Sequence, residues 1–131
     1  MLTDSIGDML TRIRNANEAR HEKVAIPYSR MKESIATILK SEGFIKDYGI
    51  GDEGVKKSLQ IELKYAGDGH RVINHIERIS TPGRRVYVAK KDIPKVLSGL
   101  GVSIITTSRG VMTGHKARVI NVGGEYVCRI W

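Results

Sequence analysis

The chain has 131 residues, of which 40% are hydrophobic and 27% are charged, and its formal net charge is +8. No apolar run approaches the ~20 residues of a membrane-spanning helix, and the first residues, MLTDSIGDMLTRIRN, lack the basic and apolar regions of a signal peptide. The single cysteine excludes an internal disulfide and fits a reducing compartment, so we expect a cytoplasmic protein.

Two helices are predicted in the first half of the chain. Apolar residues at helical spacing predict the first over residues 3–19 and the second from Ser29 onward. Gly43 is placed to end the second helix. The candidates for the N-cap of the first helix are Ser5, Thr3 and Asp4.

Three short strands complete the first half. The segment VAIP at 24–27 predicts a strand that Pro27 ends or confines to a sheet edge. Residues 44–50 and 58–65 predict a strand pair joined by a glycine-rich, charged turn. We therefore expect an α+β fold that begins with an αβαββ domain over residues 1–66.

The second half predicts a β-rich domain over residues 67–131. A glycine-containing stretch, AGDG at 66–69, marks the expected boundary. Between the strands, residues 92–99 (DIPKVLSG) predict one short helical turn. The expected strands cover residues 70–80, 84–90, 101–107 and 125–131. The apolar spacing within 70–80 suits a helix almost as well, and its β-branched residues together with the turn at Pro82-Gly83 favour the strand.

The positive charge is concentrated in this second half. Residues 1–66 carry 11 Lys and Arg against 10 Asp and Glu, whereas residues 67–131 carry 11 against 4. This asymmetry predicts a polyanionic partner for the second half, with nucleic acid as the first candidate and an acidic membrane surface as the second.

The residue sets of common enzyme and metal sites are missing from the sequence. No stretch has the Walker-loop spacing, and GLG at 99–101 lacks the third glycine of a dinucleotide fingerprint. No Asp orienter is evident for a triad at His115, and one cysteine argues against structural zinc. We expect no enzymatic activity, no small-molecule substrate, no cofactor and no metal.

The segment ITTSRGVMTGHKARV at 105–119 is the strongest candidate for a binding site. Its clustered hydroxyls both donate and accept hydrogen bonds, which suits phosphates, ribose and base edges together. The pattern alone is equally compatible with a hairpin whose threonines favour strands. The candidate residues are Thr106, Thr107, Ser108, Arg109 and Gly110, extended in charge by Lys116 and Arg118.

Two further residues favour RNA as the ligand. Tyr87 follows Arg84 and Arg85, and an aromatic ring among cations is typical of a surface on which a base stacks. Glu125 is the one acid within the last 39 residues and is suited to accept hydrogen bonds from base amino groups. The alternatives are cross-strand packing for Tyr87 and a salt bridge for Glu125.

Several motifs of this sequence together resemble one known family. GLGVSIITTSRGVMTGHKAR followed by NVGGEYVCRIW is similar to the C-terminal region of the eighth protein of the small ribosomal subunit, in its bacterial form. DSIGDMLTRIRNA, SEGFI and STPGRRVYV also resemble that family, in the same order. The resemblance covers essentially the whole chain.

This resemblance implies a two-domain protein that binds the central domain of the small-subunit rRNA early in assembly. It implies that residues 106–110 enter an irregular stem, that Tyr87 stacks on a base and that Glu125 is an acidic contact. It also implies that the opening helix touches a second piece of rRNA through Thr3, Asp4, Arg12, Arg14 and Asn15. Other implied partners are neighbouring small-subunit proteins and, in some members, their own messenger RNA, whose translation they repress.

Other functions remain open at this point. A regulator that mainly binds messenger RNA would use the same surface, and a generic basic RNA-binding module would need only the charge. A duplex DNA binder would carry its cations on a recognition helix, whereas here they are predicted on strands and loops. A protein-interaction module would expose an apolar or aromatic patch, and aromatic residues make up only 5%.

Overall fold

The computed structural model describes residues 4–96 and 99–131. The expected α+β class, with a β-rich C-terminal portion, is confirmed. None of the described helices has the length and apolarity needed to cross a lipid bilayer. In chain order the elements are α1 (Ser5–Glu18), β1 (Lys23–Pro27), α2 (Arg30–Ser41), β2 (Ile45–Glu53), β3 (Lys56–Leu63), β4 (Ile76–Arg78), β5 (Tyr87–Val88), β6 (Val102–Thr107), β7 (Gly110–Thr113), α3 (Gly114–Val119) and β8 (Gly124–Ile130).

The residues of the chain group into two compact units. One unit is Asp8–Asn74, and the described part of the other is Asp4–Gly7 together with His75–Trp131. Residues just after 66 belong to the first unit, where Asn17 Nδ2 donates a 2.8 Å hydrogen bond to the carbonyl oxygen of Ile73. The domain boundary expected between residues 66 and 67 stays a prediction.

Helix α1 begins at Ser5 with Asp4 as its N-terminal cap. The Asp4 carboxylate oxygen Oδ1 accepts a 2.9 Å hydrogen bond from the backbone N–H of Gly7, which satisfies one of the unpaired donors at the helix start. Of the three cap candidates, Asp4 therefore caps the helix and Ser5 is its first residue. The apolar side chains at helical spacing are buried, namely Ile6, Met9, Leu10, Ile13 and Ala16.

Helix α2 has both ends where the sequence predicts them. The Ser29 hydroxyl accepts a 3.2 Å hydrogen bond from the backbone N–H of Lys32. Gly43, directly after the C-cap, has φ +81°, a conformation that glycine adopts without steric cost. Ile35, Ala36 and Leu39 form the buried face of the helix, which packs against β2 and β3.

The sheet of the first unit has three antiparallel strands in the order β1-β3-β2. Central strand β3 buries Leu59, Ile61 and Leu63, as its alternating pattern predicts. Pro27 is the last residue of β1, which is an edge strand. An edge strand pairs on one side only, so the N–H that proline lacks does not interrupt hydrogen bonding to a second neighbour.

The sheet of the second unit runs β4-β8-β6-β7, and β5 also pairs with β8. The strand expected over 70–80 forms only at Ile76–Arg78, and that over 84–90 only at Tyr87–Val88. Both pair with the edge of β8 that faces away from β6, at Cys128–Ile130 and at Gly124–Glu125. Because these strands share one edge of a seven-residue strand, each stays short.

Two further local features lie outside these strands. Of the residues expected to form a helical turn at 92–99, Asp92–Val96 are not helical, whereas the N–H of Gly99 donates a 2.9 Å hydrogen bond to the carbonyl oxygen of Val96, which is the pattern of a single 3-10 turn. Residues 97 and 98 lie outside the described residues. Helix α3 was not predicted, because it is only six residues long and begins at a glycine, a poor helix former. Thr113 caps it by accepting a 3.1 Å hydrogen bond from the backbone N–H of Lys116.

Burial governs the chemistry of Cys128, on central strand β8. Its side chain is enclosed, and desolvation raises the pKa of the thiol to about 12. The thiolate is therefore disfavoured at neutral pH, which makes Cys128 a packing residue of the β8 core.

Candidate nucleic-acid interface

A tight hairpin carries the hydroxyl-rich segment at residues 106–110. Strand β6 ends at Thr107 and β7 begins at Gly110, so Ser108 and Arg109 form the exposed turn. The Thr107 hydroxyl donates to the Gly110 carbonyl oxygen at 2.9 Å and accepts from the Arg109 N–H at 3.0 Å. Gly110 has φ +111°, which a side chain would strain. Thr107 thus shapes the turn, and Ser108 and Arg109 face solvent.

Thr106, Glu125 and Tyr87 form a row across three adjacent strands. Thr106 on β6 is directly opposite Glu125 on β8, and Glu125 is directly opposite Tyr87 on β5. Residues paired in this way project from the same face of a sheet. The Tyr87 residue is 69% exposed, so cross-strand packing does not enclose its ring.

The Thr106 hydroxyl has a different environment from the other hydroxyls of the hairpin. Its oxygen is shielded from solvent and has no hydrogen-bond partner among the described residues. In this arrangement the oxygen is therefore closed to a ligand. The sequence pattern treated the three hydroxyls as equivalent, and the structure leaves only that of Ser108 at an exposed position without a role in forming the turn.

The Glu125 carboxylate forms an internal salt bridge. Arg85 donates to Oε2 at 2.9 Å, and the buried Ser80 hydroxyl donates to the same oxygen. Burial raises the pKa of this carboxyl, but the hydrogen bonds from Ser80 and Arg85 and the arginine charge outweigh it, so the pKa of Glu125 is lowered. The alternative of a salt bridge to a neighbouring arginine is therefore present in the structure.

Two adjacent glycines allow the strands of this surface to approach closely. A Cβ on Gly124 would collide with the carbonyl oxygen of Thr106, and one on Gly123 would collide with that of Val88. Since both obstacles are backbone atoms, neither can rotate aside. Any side chain at these positions would separate β8 from its neighbours.

The remaining cations of the second unit differ in how freely they can contact a ligand. Arg84 is exposed, and its backbone is held by reciprocal hydrogen bonds with Thr81, both 3.0 Å long. Lys116 is exposed on α3, whereas Arg118 on the same helix is partly buried and donates to the Ile93 carbonyl oxygen at 3.2 Å. Arg84 and Lys116 are thus better placed to meet phosphates.

The candidates of the opening helix belong to two different units. Thr3 lies outside the described residues. Asp4 groups with the second unit, where it caps α1 and pairs with Arg78 through two hydrogen bonds of 3.2 Å. Arg12, Arg14 and Asn15 belong to the first unit, and Arg12 is salt-bridged to Asp8 at 3.0 Å. Asp4 therefore has a structural role that its proposed RNA contact did not include.

The described residues hold no group of three His, Cys, Asp or Glu side chains that could bind a metal ion. One residue of the interface was missed by the sequence interpretation, namely Ser80. It lies 45 residues from Glu125, and no local motif indicates that the two side chains meet.

Comparison with known proteins identifies the family. A sequence model described as Ribosomal protein S8 matches residues 4–131. The chain belongs to this ribosomal protein family. The small ribosomal subunit protein uS8 of Solibacter usitatus is 54% identical over 131 residues, which is the full length of both chains. That of Caldicellulosiruptor bescii is 58% identical over 128 residues, or 98% of this chain and 97% of the relative. That of Thermodesulfovibrio yellowstonii is 56% identical over 131 residues, again covering both chains fully.

Membership of the ribosomal protein S8 family confirms the resemblance seen in the sequence. It makes the chain a structural, non-enzymatic, RNA-binding component of the ribosome, which acts in translation in the cytoplasm.

Proposed function

We propose that this protein of the small ribosomal subunit is a primary rRNA-binding protein, which binds the central domain of the small-subunit rRNA and promotes its assembly. The row of Tyr87, Glu125 and Thr106, next to the exposed turn Ser108–Arg109, is the observation that carries the proposal. The stacking ring of Tyr87 and the exposed hydroxyl and guanidinium of the neighbouring turn suit the splayed bases of an irregular stem.

Each group of the interface has a distinct proposed role. Tyr87 stacks on an unpaired base, and Ser108 and Arg109 enter the stem and contact base edges or phosphates. Gly110 allows RNA to come close to the backbone, Thr107 maintains the shape of the hairpin, and Thr106 lies beside them near the end of β6. Phosphates are neutralised by the surrounding cations Arg84, Arg85, Lys116 and Arg118.

Glu125 acts chiefly through Arg85 in this proposal. Its carboxylate holds the guanidinium at the strand position opposite Tyr87, because Arg85 binds Glu125 directly and Glu125 is paired with Tyr87 in the strand register. An acid placed on a basic surface also repels phosphates that approach along the wrong path. Both effects contribute to selectivity for one RNA shape.

We further propose that α1 touches a second rRNA segment through Arg12, Arg14 and Asn15, together with Thr3 and Asp4 before it. Arg12 and Asn15 are exposed, which supports this role. The near-neutral charge of residues 1–66 indicates a weaker contribution than that of the hairpin. Neighbouring small-subunit proteins and the chain's own messenger RNA are proposed as additional partners.

Titration of the full chain against two RNAs tests the main proposal. The probes are a central-domain stem-loop of the small-subunit rRNA and a regular RNA duplex, each at several salt concentrations. We expect tighter binding to the irregular stem that persists at high salt. Equal and steeply salt-dependent binding to both RNAs would show that only the net charge binds and would overturn the proposal.

The choice between ribosomal and regulatory roles needs a separate experiment. Both would use the same surface, so affinity for RNA alone does not distinguish them. Co-sedimentation of the chain with small ribosomal subunits supports the ribosomal role. Recovery with messenger RNA in fractions free of subunits would support repression as the main function.

A further inference from the structure

Ser80 is fully buried between the end of β4 and the segment that leads to β5. Its hydroxyl donates a hydrogen bond to Oε2 of Glu125 and accepts one of 3.1 Å from the backbone N–H of Val86. A single side chain thereby connects strand β8 to the residue that directly precedes Tyr87.

Strand β5 depends on such a connection because it is only two residues long. Its register with β8 consists of Tyr87 opposite Glu125 and Val88 opposite Gly124. Val86, just before the strand, donates to Ser80 Oγ, and its carbonyl oxygen accepts a 2.9 Å bond from the Tyr126 N–H. With so few backbone bonds, each bond has a large share in fixing the position of Tyr87 on the sheet.

The same arrangement also holds Arg85. Its guanidinium donates to the Glu125 oxygen that Ser80 also binds, at 2.9 Å. The side chain of Arg85 is half exposed, whereas that of Glu125 is only 17% exposed. Ser80 thus fixes a carboxylate from inside the protein, and that carboxylate fixes a cation at the surface.

We infer that Ser80 is a positioning residue of the RNA interface, which orients Tyr87 and Arg85 without touching the RNA itself. This inference rests on the proposed function, because it assigns Tyr87 and Arg85 to the RNA-binding surface. The Ser80 hydroxyl serves as both donor and acceptor, so alanine removes two bonds and leaves a carboxylate oxygen and an N–H with one partner fewer.

The test compares Ser80→Ala with Ser103→Ala, which removes a second buried serine hydroxyl from the same unit. Each full-length variant is titrated with the central-domain stem-loop and with the regular duplex. We expect Ser80→Ala to lower the preference for the stem-loop by about three- to tenfold, and Ser103→Ala to leave that preference unchanged. Equal preferences in Ser80→Ala and the unaltered chain would overturn the inference.

A second step separates positioning from general destabilisation. In a background that carries both Tyr87→Ala and Arg85→Ala, Ser80→Ala should reduce the preference far less, because both side chains that Ser80 positions are already absent. A loss of the same size in both backgrounds would overturn the inference. If Ser80→Ala does not fold, Ser80→Cys replaces it, because a thiol is of similar size and forms weaker hydrogen bonds than a hydroxyl. We expect the Ser80→Cys chain to prefer the stem-loop less than the unaltered chain does. An equal preference in these two chains would contradict the positioning role.

These experiments distinguish failure of this inference from failure of the proposed function. An unaltered chain without preference for the stem-loop would overturn both. If Tyr87→Ala removes the preference for the stem-loop and Ser80→Ala does not, only the role of Ser80 is overturned. The proposed interface then remains supported.

Discussion

Arg109 occupies the exposed end of the β6–β7 hairpin, where its guanidinium can reach a ligand without displacing other side chains. Arg109→Ala should therefore weaken binding to the irregular stem by about 1–3 kcal/mol if the side chain contacts a base edge. Titration at several salt concentrations measures this, with Arg30→Ala, an exposed arginine of α2, as the control. The salt slope is the change of the logarithm of the affinity with the logarithm of the salt concentration. If the Arg109→Ala chain equals the unaltered chain in both affinity and salt slope, the hairpin has no part in the mechanism.

Thr107 should stabilise the hairpin rather than read the RNA. Thr107→Val keeps the shape of the side chain but loses the bonds to the Gly110 carbonyl and the Arg109 N–H. We expect each of these missing hydrogen bonds to cost about 1 kcal/mol of unfolding free energy, and Thr107→Ser to cost much less. Urea unfolding checks both, and equal stability of the valine and serine variants would contradict this role.

At the scale of elements, Gly124 allows β8 to pair closely with β6. Gly124→Ala should lower the unfolding free energy by about 1–3 kcal/mol, because the new Cβ would meet the backbone of Thr106. Gly49→Ala on β2 is the matched control, since a Cβ there meets nothing within 4 Å. We expect that control to stay within about 0.5 kcal/mol in urea unfolding. A Gly124→Ala chain as stable as the control would show that the strands can separate without cost.

The elements that the sequence predicts well are those whose signals are local. Ser29 and Gly43 mark both ends of α2, and alternation marks β3, because caps and periodicity depend on a few neighbouring residues. The lengths of β4 and β5 were overestimated because they depend on how much of β8 is available for pairing. Helix α3 was missed because six residues give too short a window for helical periodicity and the first of them is glycine. That glycine lies where a Cβ would collide with Ser103.

The candidate interface shows the same limit. The hydroxyl cluster, Tyr87 and the arginines before it could be found as short motifs in the sequence. The pairing of Glu125 with Arg85 and Ser80 could not, because those residues are 40 and 45 positions away from it. Hydrogen-bond partners of buried polar groups are determined by tertiary packing, which no short window contains.

At the scale of the whole molecule, two carboxylates link stability to pH. Burial raises the pKa of both Asp4 and Glu125, but hydrogen bonds and arginine charges outweigh it and lower both pKa values below the ordinary 3.8 and 4.5. The folded state therefore favours the ionised forms. Their contribution to stability is complete above these ordinary values and is lost as the pH falls through the lower folded values.

We expect the unfolding free energy of the chain to decrease between neutral and strongly acidic pH. Urea unfolding across this range measures it, and Glu125→Gln should show a smaller decrease because one of the linked groups no longer titrates. Identical pH profiles for the variant and the original chain would contradict the contribution of Glu125.

The charge asymmetry of the chain predicts where non-specific RNA affinity originates. Replacing Lys90 and Lys91 with glutamine removes two exposed cations from the half that carries most of the excess charge. The salt slope for duplex RNA should fall by about one for each phosphate that is no longer neutralised. The same change at Lys56 and Lys57, an exposed pair in the near-neutral half, should leave the slope unaltered. Equal salt slopes for the two double variants would contradict the prediction that non-specific RNA affinity originates in residues 67–131.

Strand β8 follows all the other described strands in chain order, yet β4 and β5 both pair with it, and it also pairs with β6. During translation, β4 and β5 therefore leave the ribosome before the strand that completes their backbone hydrogen bonds. A nascent chain lacking β8 would present unpaired strand edges and would hold Tyr87 in no fixed place. Only a chain synthesised through β8 can thus form the proposed interface, so prematurely terminated products would not compete for the RNA.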